Sequence, residues 1–567
     1  MEKGRRVEEK NVSKIKFIRN IIIVLIALGI IAFILMIAPD YAVPKQEGIS
    51  LIINNRNVTS SERLKQDVII ENDVIYLSKG DLSNFFDKYL YYDNKYNQYI
   101  TTSGTKEASI IIGENKVTVN GITTNIKGTI IQRGDVTYFP ISDMNEVYDI
   151  EIKNISNTNT VTIDSLDRQQ TQAQVSKKVS VKYKAKVLSA TLEKLEEGAN
   201  VIVISEDENW AKIRTENGKI GYVKVKDLTN KQIVREDKKE IDPLNGQKVS
   251  LVWDYYSEYA KAPNRNGTTI EGVNVVSPTF FALEQLGQGN IVDKVGEEGI
   301  EYINWAKQNN YQIWPIVSNE SRIETTSEVL NDYKLRQKLI NNIMELVEKY
   351  NLDGINMDFE NMYKDDKDMY SRLIIELYPR LKEKGLKLSV DVTAPDGSET
   401  WSLCFDRNVI ADNSDYIVFM AYDQHTASST EAGTVAGYNW VKTNVDKFLG
   451  QEGVAKEKLI LGIPFYTRVW TENANGELIG KSAKDMKDIY SIIPSNVEKK
   501  WDEDLKQYYV EYTDGANLKK IWIEDEASIK EKLMLARDYN LAGVAFWEKD
   551  RETEDLWSLV NEIIFNR

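Results

Sequence analysis

The sequence predicts an α/β fold, an eight-stranded (β/α)8 barrel filling the C-terminal half of the 567-residue chain, behind two small β-rich domains and an apolar helix. Three observations predict it. From residue 246 onward, apolar strand-like runs alternate with amphipathic helical stretches, the pattern of parallel strands joined by crossover helices. Residues 48–230 instead carry short β-branched runs broken by Asn and Gly turns. Ahead of both, Ile21–Ala38 is an uncharged stretch of 18 residues.

As a helix that stretch spans roughly 27 Å, enough for a bilayer core. Lys3, Arg5, Arg6, Lys10, Lys14, Lys16 and Arg19 precede it, so residues 1–20 are expected to stay cytoplasmic. The exit Ala38-Pro39-Asp40-Tyr41-Ala42 lacks a small-x-small cleavage site. The expectation is therefore a signal anchor over residues 21–38 in the cell membrane, with secretion after cleavage as the alternative. Either way, the rest of the chain lies outside.

Composition narrows the chemistry. A formal charge of −15 argues against a nucleic-acid partner, which requires a concentrated basic surface. Cys404 is the single cysteine and His425 the single histidine. Intramolecular disulfides are excluded, and a multi-histidine metal site or a Ser-His-Asp triad has too little to work with. No metal and no cofactor is expected; carboxylates, amides and phenols must do the work. Cys404 reads as a small packed residue, and His425 as a surface-loop residue near strand six.

Residues 48–165 form an α+β domain with an internal echo: the run from Asp73 to Leu82 (DVIYLSKGDL) is matched by Asp135 to Met144 (DVTYFPISDM). Each copy reads as a strand entering a short helix with a small polar N-cap, and a helical stretch is expected near Leu82–Tyr89. The domain resembles the N-terminal domain of copper amine oxidases, without the histidines copper would need. Residues 166–175 (LDRQQTQAQV) read as a polar linker. About five short strands are expected in 176–230, including 186–188, 199–204, 209–214 and 219–224. Trp210-Ala-Lys-Ile213 followed by Gly218-Lys-Ile-Gly-Tyr-Val223 resembles the bacterial SH3-like fold, a small β-barrel. The resemblance implies a module that binds the bacterial cell wall or acts as a spacer. A charged linker, 231–242, follows.

The eight expected barrel strands lie at 249–253, 273–277, 312–317, 354–360, 387–392, 416–420, 459–463 and 542–546. Helices are expected at Tyr333–Tyr350 and Asp368–Lys384. The span and the strand count fit a TIM barrel over 246–567. Residues from about 468 to 525 break the alternation and read as an α+β insertion after strand seven, with strands at 508–512 and 520–523.

Strand four carries the chemistry. Residues 353–360 read DGINMDFE, alternating apolar and polar from Ile355 to Glu360. In a barrel the polar side faces inward, and functional residues gather at strand C-termini. Same-face residues lie about 6.6 Å apart, so Asp358 and Glu360 influence each other's ionisation. A second acid beside Asp358 favours a protonated carboxyl, which glycoside hydrolysis requires.

The run resembles the DGxDxDxE signature of glycoside hydrolase family 18, the chitinase and endo-β-N-acetylglucosaminidase family. Further matches follow in order: Ser277 to Phe281 (SPTFF), Met420 to Asp423 (MAYD), Gly462 to Tyr466 (GIPFY) and Gly543 to Trp547 (GVAFW). The resemblance implies substrate-assisted, retaining hydrolysis of β-1,4 bonds at N-acetylglucosamine in peptidoglycan or a chitin-like polymer. It makes Glu360 the acid and base, has Asp358 orient the acetamido N–H, and has Tyr422 hold the acetamido carbonyl. Trp547 becomes the sugar floor, Asp423 a hydroxyl partner, and Asn356, Met420 and Tyr466 further substrate-side residues.

One position departs from the signature. Asn356 stands where the family usually has an acid; it can donate an N–H to Asp358 but cannot take up a proton. The DGxNxDFE form is familiar among spore-cortex-lytic and related wall-active members, so the expected substrate shifts toward peptidoglycan. The alternative is a non-catalytic glycan-binding protein on the same barrel. Such proteins typically lose the residue at Glu360, which is present here.

Overall fold

The computed structural model describes residues 2–41, 43, 47–59, 63–238, 242–257 and 261–566. The chain divides into two compact units: 1–88, 110–118 and 123–239 in the first, and 89–109, 119–122 and 240–567 in the second.

In the first unit, helix Glu2–Tyr41 contains Val12–Ile34, a stretch long and apolar enough to cross a membrane. The internal echo is a structural repeat. Hairpins Ile69–Glu71/Val74–Ser78 and Ile131–Arg133/Val136–Phe139 join edge to edge, Phe139 opposite Leu77 and Tyr138 opposite Ser78. The first copy runs into helix Lys79–Phe85, capped by Ser78 Oγ accepting from Asp81 N at 3.0 Å. That helix begins earlier than the expected 82–89, because Ser78 ends the strand and caps in one step. The second copy departs from expectation: Pro140 occupies the N-cap without a side-chain bond, and Ser142 Oγ instead accepts from Ile75 N of the first copy.

The polar segment expected as a linker at 166–175 is largely strand. Gln170–Val175 pairs with Asn200–Glu206 on one side and Leu228–Arg235 on the other, in a seven-stranded sheet. Ala173 and Val175 are its buried face, so only two small apolar residues marked it. Leu228–Arg235 likewise extends the sheet into the expected charged linker. The strand expected at 186–188 is absent; Val187 and Leu188 are exposed in a bend.

In the second unit, eight parallel strands close on themselves. They are Val249–Asp254, Val275–Pro278 (continued by Phe281–Leu283), Gln312–Ile313 with Ile316–Ser318, Gly354–Asp358, Lys387–Val392, Tyr416–Met420, Leu459–Pro464 and Gly543–Trp547. Strand eight pairs with strands seven and one, which closes the barrel. Val249, Leu251, Trp253, Val275, Trp314, Ile316, Val418, Ile460 and Ala545 fill its interior. The alternate residues, among them Val252, Val276, Ile355, Met357, Val390, Phe419, Leu461 and Phe546, pack against the helices. Period-two alternation thus serves two cores at once.

Gly354 opens strand four because a Cβ there would lie 2.6 Å from Lys387 O and 2.7 Å from the Trp314 ring. Asp353 Oδ2 accepts from Ile313 N at 3.0 Å and fixes the entry to the strand. Helix Tyr333–Tyr350 starts at Asp332, which accepts from Lys334 N and Leu335 N, and stops at Asn351 in the left-handed region. Its buried face, Arg336, Leu339, Ile340, Ile343, Met344 and Val347, follows helical spacing. Arg336 forms a fully buried fork on Glu376 of helix Lys367–Glu383, at 3.2 and 3.0 Å.

Segment 89–109, which belongs to this unit, contacts these two helices. Tyr96 Oη donates to Asp332 at 2.9 Å, and Arg372 Nη2 donates to Tyr89 O at 2.7 Å. Glu107 is buried beside Tyr333; burial, and then the Glu376 carboxylate, push it up to about 8. After strand seven, Tyr466–Glu472, Leu478–Asp485, Lys500–Asp502, Gln507–Asp514 and Asn517–Ile523 form an antiparallel five-stranded insertion. Its helical part is a 3-10 run, Met486–Ile492.

Candidate active site

Ile355, Met357 and Phe359 pack outward, so Asn356, Asp358 and Glu360 face the interior and the mouth of the barrel. Asn356 sits deepest, fully buried. Its Oδ1 accepts from Trp253 Nε1 at 2.7 Å and from Ser277 Oγ at 3.3 Å, across strands one and two. Its Nδ2 donates to Ser389 Oγ at 3.0 Å and to Asp391 Oδ1 at 2.7 Å, on strand five. The expected N–H to Asp358 is therefore corrected: both amide protons are spent on strand five, because the parallel register sets Asn356 beside Ser389.

Asp358 Oδ1 is buried, with no hydrogen-bond partner among the described residues. Burial first, and the Glu320 carboxylate second, raise its carboxyl above the usual range. Glu360 is raised by burial, then by Asp358 and Asp423. Asp391, 1% exposed, is raised well above the ordinary value by burial and by Asp358, against the Asn356 hydrogen bond. Three inward acids in one low-polarity cup cannot all hold a charge, so at least one carries a proton at neutral pH.

Glu360 is held through its backbone. Asn319, just past strand three, donates from Nδ2 to Glu360 O at 2.7 Å and accepts from Glu360 N at 3.0 Å. Asn319 Nδ2 also reaches Thr326 Oγ1 at 3.0 Å, which fixes the amide plane. Asn319→Ala removes both clamps. We expect kcat to fall roughly ten- to a hundred-fold, the cost of a small misplacement, with KM nearly unchanged. Steady-state kinetics checks this, and a kcat within twofold of the parent contradicts it.

Past strand six, Tyr422 keeps its proton far above neutral pH, through burial and then the surrounding carboxylates Asp391, Glu360 and Asp358. It is an O–H donor at the mouth, and its ring meets Tyr466 edge-on at 6.4 Å. Asp423 accepts from Tyr466 Oη at 2.7 Å and from Arg468 Nη2 at 3.1 Å. Met420 ends strand six, buried. Trp547 ends strand eight, half-buried, with its ring edge-on to Trp253 at 5.9 Å. Arg265 forks onto Asp254 at 2.8 and 2.9 Å and onto Asp550, joining the loops beyond strands one and eight.

Glu360, Asp358, Tyr422, Asp423, Met420, Tyr466 and Trp547 come from the C-terminal ends of strands four, six, seven and eight or the segments just beyond them, and Asn356 lies one layer deeper in strand four. Sequence reasoning missed Asp391, Asn319, Arg468 and Arg265. Only Asp391 had a local signal, since Ser389 and Asp391 alternate with Leu388, Val390 and Val392 as the motif does. His425 lies in the loop after strand six, its Nδ1 3.0 Å from Thr434 O. Cys404 is buried, with Sγ 3.3 Å from Thr400 O.

Residues 251–552 match the family described as Glycosyl hydrolases family 18, and residues 52–163 match the copper amine oxidase N-terminal domain. The uncharacterized glycosylase YvbX of Bacillus subtilis is 25% identical over 301 residues, covering 51% of this chain and 84% of that protein. The cortical fragment-lytic enzyme of Bacillus subtilis is 24% identical over 241 residues, covering 41% of this chain and 55% of that enzyme. This chain thus spans only about half the length of the latter. A chitinase structure from Chromobacterium violaceum superposes with a TM-score of 0.50 at 22% identity, covering 56% of this chain and 100% of that one. Inward acids at the mouth of a closed parallel barrel and a family match over more than half the chain lead to one conclusion: the protein is a glycosidase, a member of glycosyl hydrolase family 18.

Proposed function

We propose that the barrel cleaves β-1,4 bonds next to N-acetylglucosamine in peptidoglycan or a related wall polymer, with the substrate's acetamido group as nucleophile and retention at the anomeric carbon. The observation that carries this is the buried Oδ1 of Asp358, without a partner among the described residues, on the same inward face as Glu360 and near enough for its charge to act on Tyr422. An orphan carboxylate oxygen on the inward face of the barrel calls for a donor, and the acetamido N–H supplies one. Glu360, kept protonated by burial, gives its proton to the leaving glycosidic oxygen. The acetamido carbonyl, held by Tyr422 O–H, attacks the anomeric carbon and forms an oxazolinium whose positive charge Asp358 offsets. Water then opens the ring as Glu360 takes back a proton. Trp547 stacks the sugar, and Asp423, held by Tyr466 and Arg468, takes its hydroxyls.

The seven-stranded unit is read as an SH3-like wall-binding or spacing module, and the N-terminal helix as an anchor that holds the barrel at the outer membrane surface. The cortical fragment-lytic enzyme among the relatives favours a peptidoglycan substrate. The test of the mechanism compares N-acetylated and de-N-acetylated glucosamine oligomers of equal length. Removing the acetyl removes the nucleophile, so we expect hydrolysis to fall by at least about 10²-fold, the scale of a lost catalytic group. Equal turnover of the two contradicts substrate assistance.

A further inference from the structure

The site has three inward acids where the family signature prepares for a different set. Asn356, at the position of the usual first acid, has no proton to share. Asp391 supplies a carboxyl at the same place from the neighbouring strand. Strands four and five run parallel with Asn356 beside Ser389 and Met357 beside Val390, and continuing that register sets Asp358 beside Asp391. Neighbouring strands lie about 4.8 Å apart, and both side chains point inward. Asn356 Nδ2 holds Asp391 Oδ1 at 2.7 Å, which fixes the carboxyl in place and leaves Oδ2 outside that bond.

We infer that Asp391 is the proton-sharing partner of Asp358, a positioning residue that takes over from strand five the role that Asn356 cannot fill on strand four. The inference rests on the glycosidase mechanism above and adds a residue to it. In the resting enzyme one proton lies between the two carboxyls, which satisfies the otherwise orphaned Asp358 Oδ1. When the acetamido N–H arrives, the proton stays on Asp391 and Asp358 turns to the substrate as a full carboxylate. No proton is gained or lost in that exchange. The groups around the pair are Glu360 and Asn356 from strand four, Ser389 from strand five and Tyr422 past strand six. Tyr370 of helix Lys367–Glu383, Glu320 past strand three and Asp423 complete the set of neighbours that act on the pair or on Glu360. None of them is a cation, so the pair has no ion-pair route to losing both protons cheaply.

The test uses Asp391→Asn, which is isosteric and still accepts from Asn356 Nδ2, so a purely structural role survives it. We expect kcat to fall roughly a hundred-fold with KM little changed. The acid limb of the kcat/KM profile should also move up by at least about one pH unit, because the amide N–H left facing Asp358 holds its charge less well than the shared carboxyl proton does. Asn356→Asp in the Asp391→Asn background returns a carboxyl to strand four, where Trp253 Nε1 and Ser277 Oγ already donate. That double variant should regain most of kcat and the parent acid limb. Parent-like kinetics and pH profile in Asp391→Asn overturn the inference, and so does a double variant no better than the single one. Circular dichroism and binding of an N-acetylglucosamine oligomer verify that each variant is folded. Failure of the parent protein to hydrolyse any N-acetylglucosamine polymer is a separate result, and it overturns the underlying mechanism.

Discussion

Glu360→Gln should abolish turnover while leaving the fold and glycan binding intact. The substitution keeps the size of the side chain and both backbone bonds to Asn319, so nothing that positions the loop is lost. What disappears is the proton. Burial together with the Asp358 and Asp423 carboxylates keeps the Glu360 carboxyl protonated above the usual range, the condition a general acid needs at neutral pH. An amide cannot protonate the leaving oxygen, and it cannot later accept a proton from water. Loss of a positioned acid and base typically costs 10²–10⁴-fold, and in the proposed mechanism one residue does both jobs, so we expect the upper part of that range or more. Turnover of oligomers with a chromogenic leaving group, beside binding measured by calorimetry, separates the two effects. A variant within tenfold of the parent rate contradicts the assignment of Glu360.

The largest stability effect is expected at Arg336. Its guanidinium is 1% exposed, forks onto the fully buried Glu376, and gives its remaining nitrogen to Leu330 O at 2.7 Å. Arg336→Met strips the charged partner from a carboxylate that no water reaches, leaving it the neutral Gln337 Nε2 at 3.2 Å, with Glu107 already nearby. Breaking a buried pair from one side costs on the order of 3–5 kcal/mol. Replacing both partners, Arg336→Met with Glu376→Leu, should recover most of the loss, since the apolar pair pays no desolvation. Urea unfolding followed by tryptophan fluorescence measures both. A single variant within about 1 kcal/mol of the parent would show that the pair adds little beyond its packing.

The barrel was legible because its strands are buried on both sides or carry the period-two signature without interruption. Strand four declared its inward face through Asn356, Asp358 and Glu360, and strands one and six through plain apolar runs. The boundaries of the smaller units were less legible. Gln170–Val175 hides a strand behind four polar positions, because its sheet buries only Ala173 and Val175. Segment 89–109 reads as part of its own domain, yet the residues that draw it to the barrel helices, Asp332 and Arg372, lie more than two hundred positions away.

The same distance hid part of the site. Asn319 and Arg468 are polar residues past strand three and within the insertion, and neither belongs to the motif. Their value appears only when the barrel brings Glu360 and Asp423 to them. Asp391 is the instructive case. Its strand shows the same polar alternation as the motif, but the reason for a buried acid there becomes visible only through the register that sets it beside Asp358.

The proposed cleavage at N-acetylglucosamine runs through the substrate's own acetamido group. The most direct test is digestion of purified peptidoglycan and of chitin oligomers, with products identified by mass spectrometry and their initial anomeric form by proton NMR. Substrate-assisted cleavage should give peptidoglycan fragments that end in reducing N-acetylglucosamine and are released as the β-anomer. Fragments ending in reducing N-acetylmuramic acid, or initial release of the α-anomer, would contradict it.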